Sequence, residues 1–97
     1  MFKITITRTA LDDLRELRKP DQEQIRDAID SQLPHKPSQE TRNRKRLRPN
    51  PLADWELRVG TFRVFYHIDE AATEVRIVAI GRKRGNKLFV RGEEHSL

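Results

Sequence analysis

Apolar residues recur at every second position from Trp55 to Ile68, and this alternation organises the reading of the whole chain. Trp55, Leu57 and Val59 fall on one side of an extended backbone, with Glu56 and Arg58 on the other. After Gly60-Thr61 the pattern resumes, Phe62, Val64, Tyr66 and Ile68 alternating with Arg63, Phe65, His67 and Asp69. A period of two with one apolar face marks a half-buried strand. Two such runs joined by a two-residue link containing Gly predict a tight hairpin. With the turn at Gly60-Thr61, Val59 faces Phe62, Arg58 faces Arg63 and Glu56 faces Phe65.

The flanking segments complete one small domain. Phe2, Ile4 and Ile6 alternate with Lys3, Thr5 and Thr7, which predicts a short first strand. Thr9, with Asp12 three residues on, is read as an N-cap, and Leu11, Leu14 and Leu17 as the stripe of a first helix ending near Lys19-Pro20. A second helix is expected from Pro20-Asp21, with cap-box spacing between Asp21 and Gln24. Its core face is Ile25, Ala28, Ile29 and Leu33, and Pro34 and Pro37 stop it. Residues 35–50 read as a linker. Beyond the hairpin and a turn over Asp69–Thr73, Val75, Ile77 and Ala79 alternate with Arg76, Val78 and Ile80, apolar enough on both faces to lie inside a sheet. Gly81 ends that strand, Phe89 lies in a short final element, and 92–97 are expected to be a loose tail. The prediction is a single α+β domain over 1–97, in the order β-α-α-β-β-β. Its two N-terminal helices pack on one face of an antiparallel sheet.

Charge changes the picture. The 97 residues carry 20 Lys and Arg against 15 Asp and Glu, a net charge of +5. Residues 1–40 balance at −1 and 41–97 at +6, so the positive charge belongs to the hairpin half. Such asymmetry suggests a polyanionic partner, and arginine's planar fork suits phosphate better than lysine's point charge. Five of the seven residues in Arg42–Arg48 are basic: Arg42, Arg44, Lys45, Arg46 and Arg48. They are candidates for phosphate-backbone contact, or simply a solvated face. With no cysteine and three scattered histidines, no disulfide, metal site or cofactor is expected. The N-terminus has no long apolar run, so neither a signal peptide nor a membrane span is expected, and the cytoplasm is the default location.

The polar side of the hairpin sets Arg58 opposite Arg63, with Glu56 and His67 on the same face and Arg82 and Lys83 at its margin. Like charges facing across strands are destabilising, unless an anion sits over them or Glu56 offsets them. Cleaving RNA through its own 2′-hydroxyl needs a base, cations for the dianionic transition state, and an acid for the leaving oxygen. Arginine stays protonated, so Arg58 and Arg63 can only stabilise charge. Glu56 is the candidate base and His67 the candidate acid. Phe65 is a candidate platform for a stacked base. Each has a plainer reading too: a cross-strand ion pair for Glu56, a surface strand residue for His67, and packing against a loop for Phe65.

The run WELRVGTFRVFYHID, followed by VRIVAIGRKR and an aromatic just beyond, resembles the RelE/ParE superfamily of bacterial and archaeal toxins over essentially the whole chain. The resemblance implies a toxin held inactive by an antitoxin encoded alongside, in a hetero-oligomer. One branch cleaves mRNA in the ribosomal A site, and the other poisons DNA gyrase. Arg63 matches the family's transition-state arginine, and Arg58 the second of two basic residues on the preceding strand. Glu56 stands where the first is usually lysine. The catalytic basic residue after Gly81 corresponds to Lys83, with Arg82 one step away, and Phe89 replaces the family's C-terminal tyrosine. Ribosome-dependent mRNA cleavage is the first expectation. A gyrase inhibitor and a non-catalytic nucleic-acid-binding relic are the alternatives.

Overall fold

The computed structural model describes all 97 residues. In chain order they form β1 (Lys3–Ile6), α1 (Arg8–Arg15), α2 (Lys19–Gln32), β2 (Arg44–Arg46), β3 (Trp55–Val59), β4 (Phe62–Asp69), β5 (Glu74–Arg84), β6 (Lys87–Val90) and β7 (Glu93–His95). Two helices lie against a sheet ordered β2-β3-β4-β5-β6-β7, antiparallel throughout except that β1 joins β5 in parallel. Glu74–Ile77 of β5 pair with β1 and Arg82–Arg84 with β6, so the long strand serves both along one edge.

The hairpin forms in the predicted register, with Val59 opposite Phe62, Arg58 opposite Arg63 and Glu56 opposite Phe65. Gly60 takes φ +60° and Thr61 does not, the pattern of a type II′ turn with Gly at its first central position. On the helix side, Trp55, Leu57, Val59, Phe62, Val64 and Tyr66 join Leu14, Ile25, Ile29 and Leu33 in the main core. Trp55 stacks on Tyr66 with ring centroids 6.1 Å apart. The Tyr66 hydroxyl donates to the Pro37 carbonyl at 2.9 Å, and burial pushes its phenol above the ordinary value.

Several boundaries move. The N-cap of α1 is Thr7, whose hydroxyl accepts the Ala10 amide at 3.2 Å, rather than Thr9. α1 stops at Arg15, and α2 begins at Lys19 with Pro20 in its first turn, where a missing amide costs nothing. No side chain caps α2; Asp21 instead pairs with Arg18 at 3.6 Å. The basic linker contains β2, which pairs with β3. The expected loose tail contains β7, because Glu93–His95 find backbone partners on β6.

The parity of β5 also changes midway. Tyr66 pairs with Ile77 but Phe65 with Ala79, leaving Val78 as the extra residue of a β-bulge. Ile77 and Ile80, not Ile77 and Ala79, therefore share the helix face. The strand also continues through Gly81 instead of ending there. A Cβ at Gly81 would come within 2.8 Å of the Phe89 carbonyl oxygen and 2.9 Å of Val90 Cγ2, so β6 packs closely only over a glycine.

A second, smaller core occupies the other face of the sheet: Phe65, Ala79, Leu88, Val90 and Ala53, with Leu47, Leu52 and Val78 against them. Asn50 shapes the loop that delivers Leu52 and Ala53. Its Oδ1 accepts both their amides, at 2.7 and 3.1 Å, and its Nδ2 donates to the Arg48 and Ala53 carbonyls.

Asp13 ties α1 to the distal strands. It accepts the Ile80 amide at 3.1 Å and Arg91 Nε at 2.9 Å. Burial raises its pKa above the usual carboxylate value, although both partners pull the other way. A raised folded pKa means the native state binds the proton more tightly than the unfolded chain. The associated stability is present below the unfolded pKa and fades as pH climbs through the folded one. In urea titrations, the stability of the wild type minus that of Asp13→Asn should fall as pH rises from about 4 towards neutrality. A difference that held constant or grew would refute the assignment.

Candidate active site

Four cations and one carboxylate gather at the turn end of the sheet's second face. Arg58 and Arg63 are opposed across β3 and β4. Lys83 is two residues beyond Gly81, which pairs with Arg63, and its amide donates to the Thr61 carbonyl at 2.7 Å. From the other side, Lys45 on β2 pairs with Glu56 on β3. Residues paired across antiparallel strands share a face, with Cβ atoms about 5 Å apart. The same cross-strand rows thus place Lys45, Glu56, Arg58, Arg63 and Lys83 on one side.

Glu56 is buried, 7% exposed, and its Oε2 accepts Arg58 Nε at 3.1 Å. That bond fixes the Arg58 guanidinium, which is about half exposed. Arg63 Nη1 donates to the Gly60 and Phe62 carbonyls at 2.9 and 2.8 Å, while its Nε is buried without a partner. Burial draws the Arg63 pKa below its ordinary value. Glu56 opposes that shift and Arg58 adds to it. Two opposed cations with one nearby carboxylate leave excess positive charge on this face, an arrangement suited to an anion.

Other residues singled out from the sequence lie elsewhere. Arg82 shares a face with Phe62, its guanidinium 4.7 Å from that ring, and Phe89 pairs with Arg82. Both stand on the helix side, in an open groove of about 720 Å³ between α1 and the distal strands. The bulge at Val78 decides this, placing Lys83 rather than Arg82 beside Arg63. Phe65 is fully buried in the second core and offers no surface for stacking. His67 is four residues from Arg63 along β4, about 13 Å away, with Phe65 between them. Its Nδ1 lies 3.0 Å from Asp54 Oδ2, so it forms a separate polar pair instead of joining the cluster.

The basic run divides as well. Arg44 closes the C-terminus of α2, donating to the carbonyls of Gln32 and Gln39, where a cation also complements the helix dipole. Arg46 lies over the Trp55 ring, 5.8 Å from its centroid, on the helix side. Arg42 and Arg48 are exposed. Lys45 alone in the run pairs with a residue of the cluster, a distinction visible only once the register of β2 is known. No group of three or more acidic, histidine or cysteine side chains is placed to hold a metal ion.

Residues 4–86 match the ParE toxin of the type II toxin–antitoxin system parDE. The chain belongs to this toxin family. Among solved structures, the RelBE2 toxin–antitoxin complex of Mycobacterium tuberculosis is similar at 27% identity and a TM-score of 0.72, over 84% of this chain and 98% of that one. The archaeal RelE–RelB complex of Pyrococcus horikoshii shares the fold at 20% identity and a TM-score of 0.68, over 87% of this chain and 96% of that one. So does the isolated E. coli RelE toxin, at 20% identity and a TM-score of 0.68, over 87% and 86%. No curated protein matches by sequence. The RelE/ParE-like toxin thus has the expected fold of two helices on a predominantly antiparallel sheet. None of its helices is long and apolar enough to cross a membrane.

Proposed function

We propose that this toxin is a ribosome-dependent mRNA endonuclease that blocks translation in the cytoplasm until a cognate antitoxin binds it. The observation that carries the reading is the opposed pair Arg58 and Arg63 around buried Glu56, with Lys45 and Lys83 on the same face. Like charges held opposite each other cost stability, and a bound phosphate would relieve that cost. In this reading, the scissile phosphate lies over the two arginines and Lys83. Their positive charge stabilises the two negative charges of the transition state, and Glu56 accepts the 2′-hydroxyl proton. Lys45 and the exposed Arg42 and Arg48 hold the neighbouring backbone, contacts that position RNA without reading its sequence. The antitoxin expectation rests on the family and on the M. tuberculosis and P. horikoshii relatives, both solved as toxin–antitoxin complexes.

The match to ParE toxins favours a second reading, inhibition of DNA gyrase through contacts that need no proton transfer. Primer extension separates the two. Purified toxin is incubated with a short mRNA, with and without programmed ribosomes, and the new 5′ ends are mapped. Cuts that require ribosomes support the nuclease. An uncut message together with inhibited supercoiling by purified gyrase would support the alternative.

A further inference from the structure

We infer that β1 is a dimer edge, at which two copies of the toxin pair their first strands antiparallel about a two-fold axis. The sheet has open edges at β2, β7 and β1, and the first two are blunted. Each is three residues long, Arg44–Arg46 all basic and Glu93–His95 mostly acidic, and short charged edges discourage further pairing. Beyond Lys3, β1 is uncharged: Ile4, Thr5 and Ile6. It pairs only with β5. The Lys3 and Thr7 amides donate to the Thr73 and Ile77 carbonyls at 2.9 Å each, so the odd residues bond inwards. Backbone groups alternate sides along a strand, and Ile4 and Ile6 therefore turn theirs outwards.

That edge is complementary to itself. With Ile4 opposite Ile6 of the second copy, every outward amide and carbonyl of the two residues is used, because each such pair exchanges two hydrogen bonds. Thr5 then meets Thr5 of the second copy across the axis, a pairing that sheets favour. On the helix face, Ile4, Ile6 and Ile77 floor an apolar groove of about 240 Å³ walled by Leu11, Leu14 and Ile29. Joining the two edges makes one apolar strip of the two floors.

The charges at the rim follow the same symmetry. Arg26 and Asp30, both exposed on α2, line the groove, and none of the chain's ion pairs uses either. α2 runs back along β1, since the Pro34 carbonyl just beyond its end accepts the Phe2 amide at 2.8 Å. Asp30 thus lies towards Ile4, and Arg26 towards Ile6. About 6 Å of helix rise separates the two charges, close to the ~6.6 Å between Ile4 and Ile6. The rotation that sets Ile4 against Ile6 of the second copy therefore sets Asp30 on the side of Arg26 of that copy, and the reverse, as an isologous interface requires. The axis stands normal to the sheet, so the Arg58 and Arg63 faces of both copies stay open whatever the toxin's target.

Sedimentation of the full-length toxin over a concentration series is the test, with hydrogen exchange of the Ile4 and Ile6 amides read on the same samples. We expect wild type to reach twice the mass of one chain as those two amides become protected. Arg26→Asp and Asp30→Arg each turn both attractive pairs into repulsive ones and should weaken association roughly 10-fold. Both positions are exposed, so neither change should disturb the fold. An equimolar mixture of the two variants sets opposite charges across the axis again and should associate like wild type, as should the double variant that exchanges them. A folding defect would not be repaired in this way. Wild type that stays a single chain at every concentration would overturn the proposal and leave the edge to a strand of another sequence. A dimer whose Ile4 and Ile6 amides stay unprotected, or one indifferent to both single variants, would place the interface elsewhere and overturn it too.

Discussion

Arg63→Ala should abolish ribosome-dependent cleavage while the toxin stays folded. The guanidinium rests on the turn carbonyls of Gly60 and Phe62 and faces Arg58, so it contributes charge where the proposed reading puts the scissile phosphate and little to either core. Removing one preorganised donor to a developing oxyanion costs about 10²–10³-fold in rate. Stability should hold or rise, because the variant removes a like-charge pair and a buried donor without a partner. Single-turnover cleavage and urea unfolding of the same preparation give both numbers. A variant that cleaved like wild type would displace the active site from this face. A variant that failed to fold would show Arg63 to be a structural residue.

Phe65→Ala should behave in the opposite way, losing stability first. Phe65 is fully buried between Ala79, Leu88, Val90 and the 47–53 loop, and truncating a buried phenylalanine costs about 3–5 kcal/mol. That is a large part of the ~5–15 kcal/mol that holds a domain together. Phe65→Leu nearly preserves the volume and should cost under about 1.5 kcal/mol, with RNA binding unchanged. If Phe65 stacked a base, the leucine variant would bind RNA poorly at unaltered stability. Urea unfolding combined with RNA binding of both variants decides between these outcomes.

The hairpin was legible because its chemistry is regular. One face is apolar, the period is two, and a glycine stands where the turn needs positive φ. The helix stripes were legible for the same reason, although their ends were not, since Thr7 and Thr9 are both plausible caps and only geometry chooses between them. β2 was hidden because an edge strand of three basic residues has no apolar face. Its side chains are used one by one, Arg44 on the end of α2, Lys45 beside Glu56, and Arg46 over Trp55. β7 was hidden because Glu93–His95 carry no pattern beyond their pairing with β6. The burial of Phe65 had a signal in the sequence. An aromatic at a polar-parity position, with Leu47, Leu52, Ala79 and Leu88 apolar nearby, suggests a second core on that face.

The extra residue at Val78 has a consequence beyond local geometry. Along a strand, side and position are locked together like letters to a reading frame, and one surplus residue shifts the frame for everything downstream. Upstream of Val78 the odd positions, Val75 and Ile77, face the helices; downstream the even ones do, Ile80 and Arg82. Two adjacent cations that composition cannot distinguish are thereby sorted to opposite sides, Lys83 to the face of Arg58 and Arg63 and Arg82 to Phe62. Deleting that one residue would exchange them without altering either, so the choice of cation at this site is written four residues before the earlier of the two.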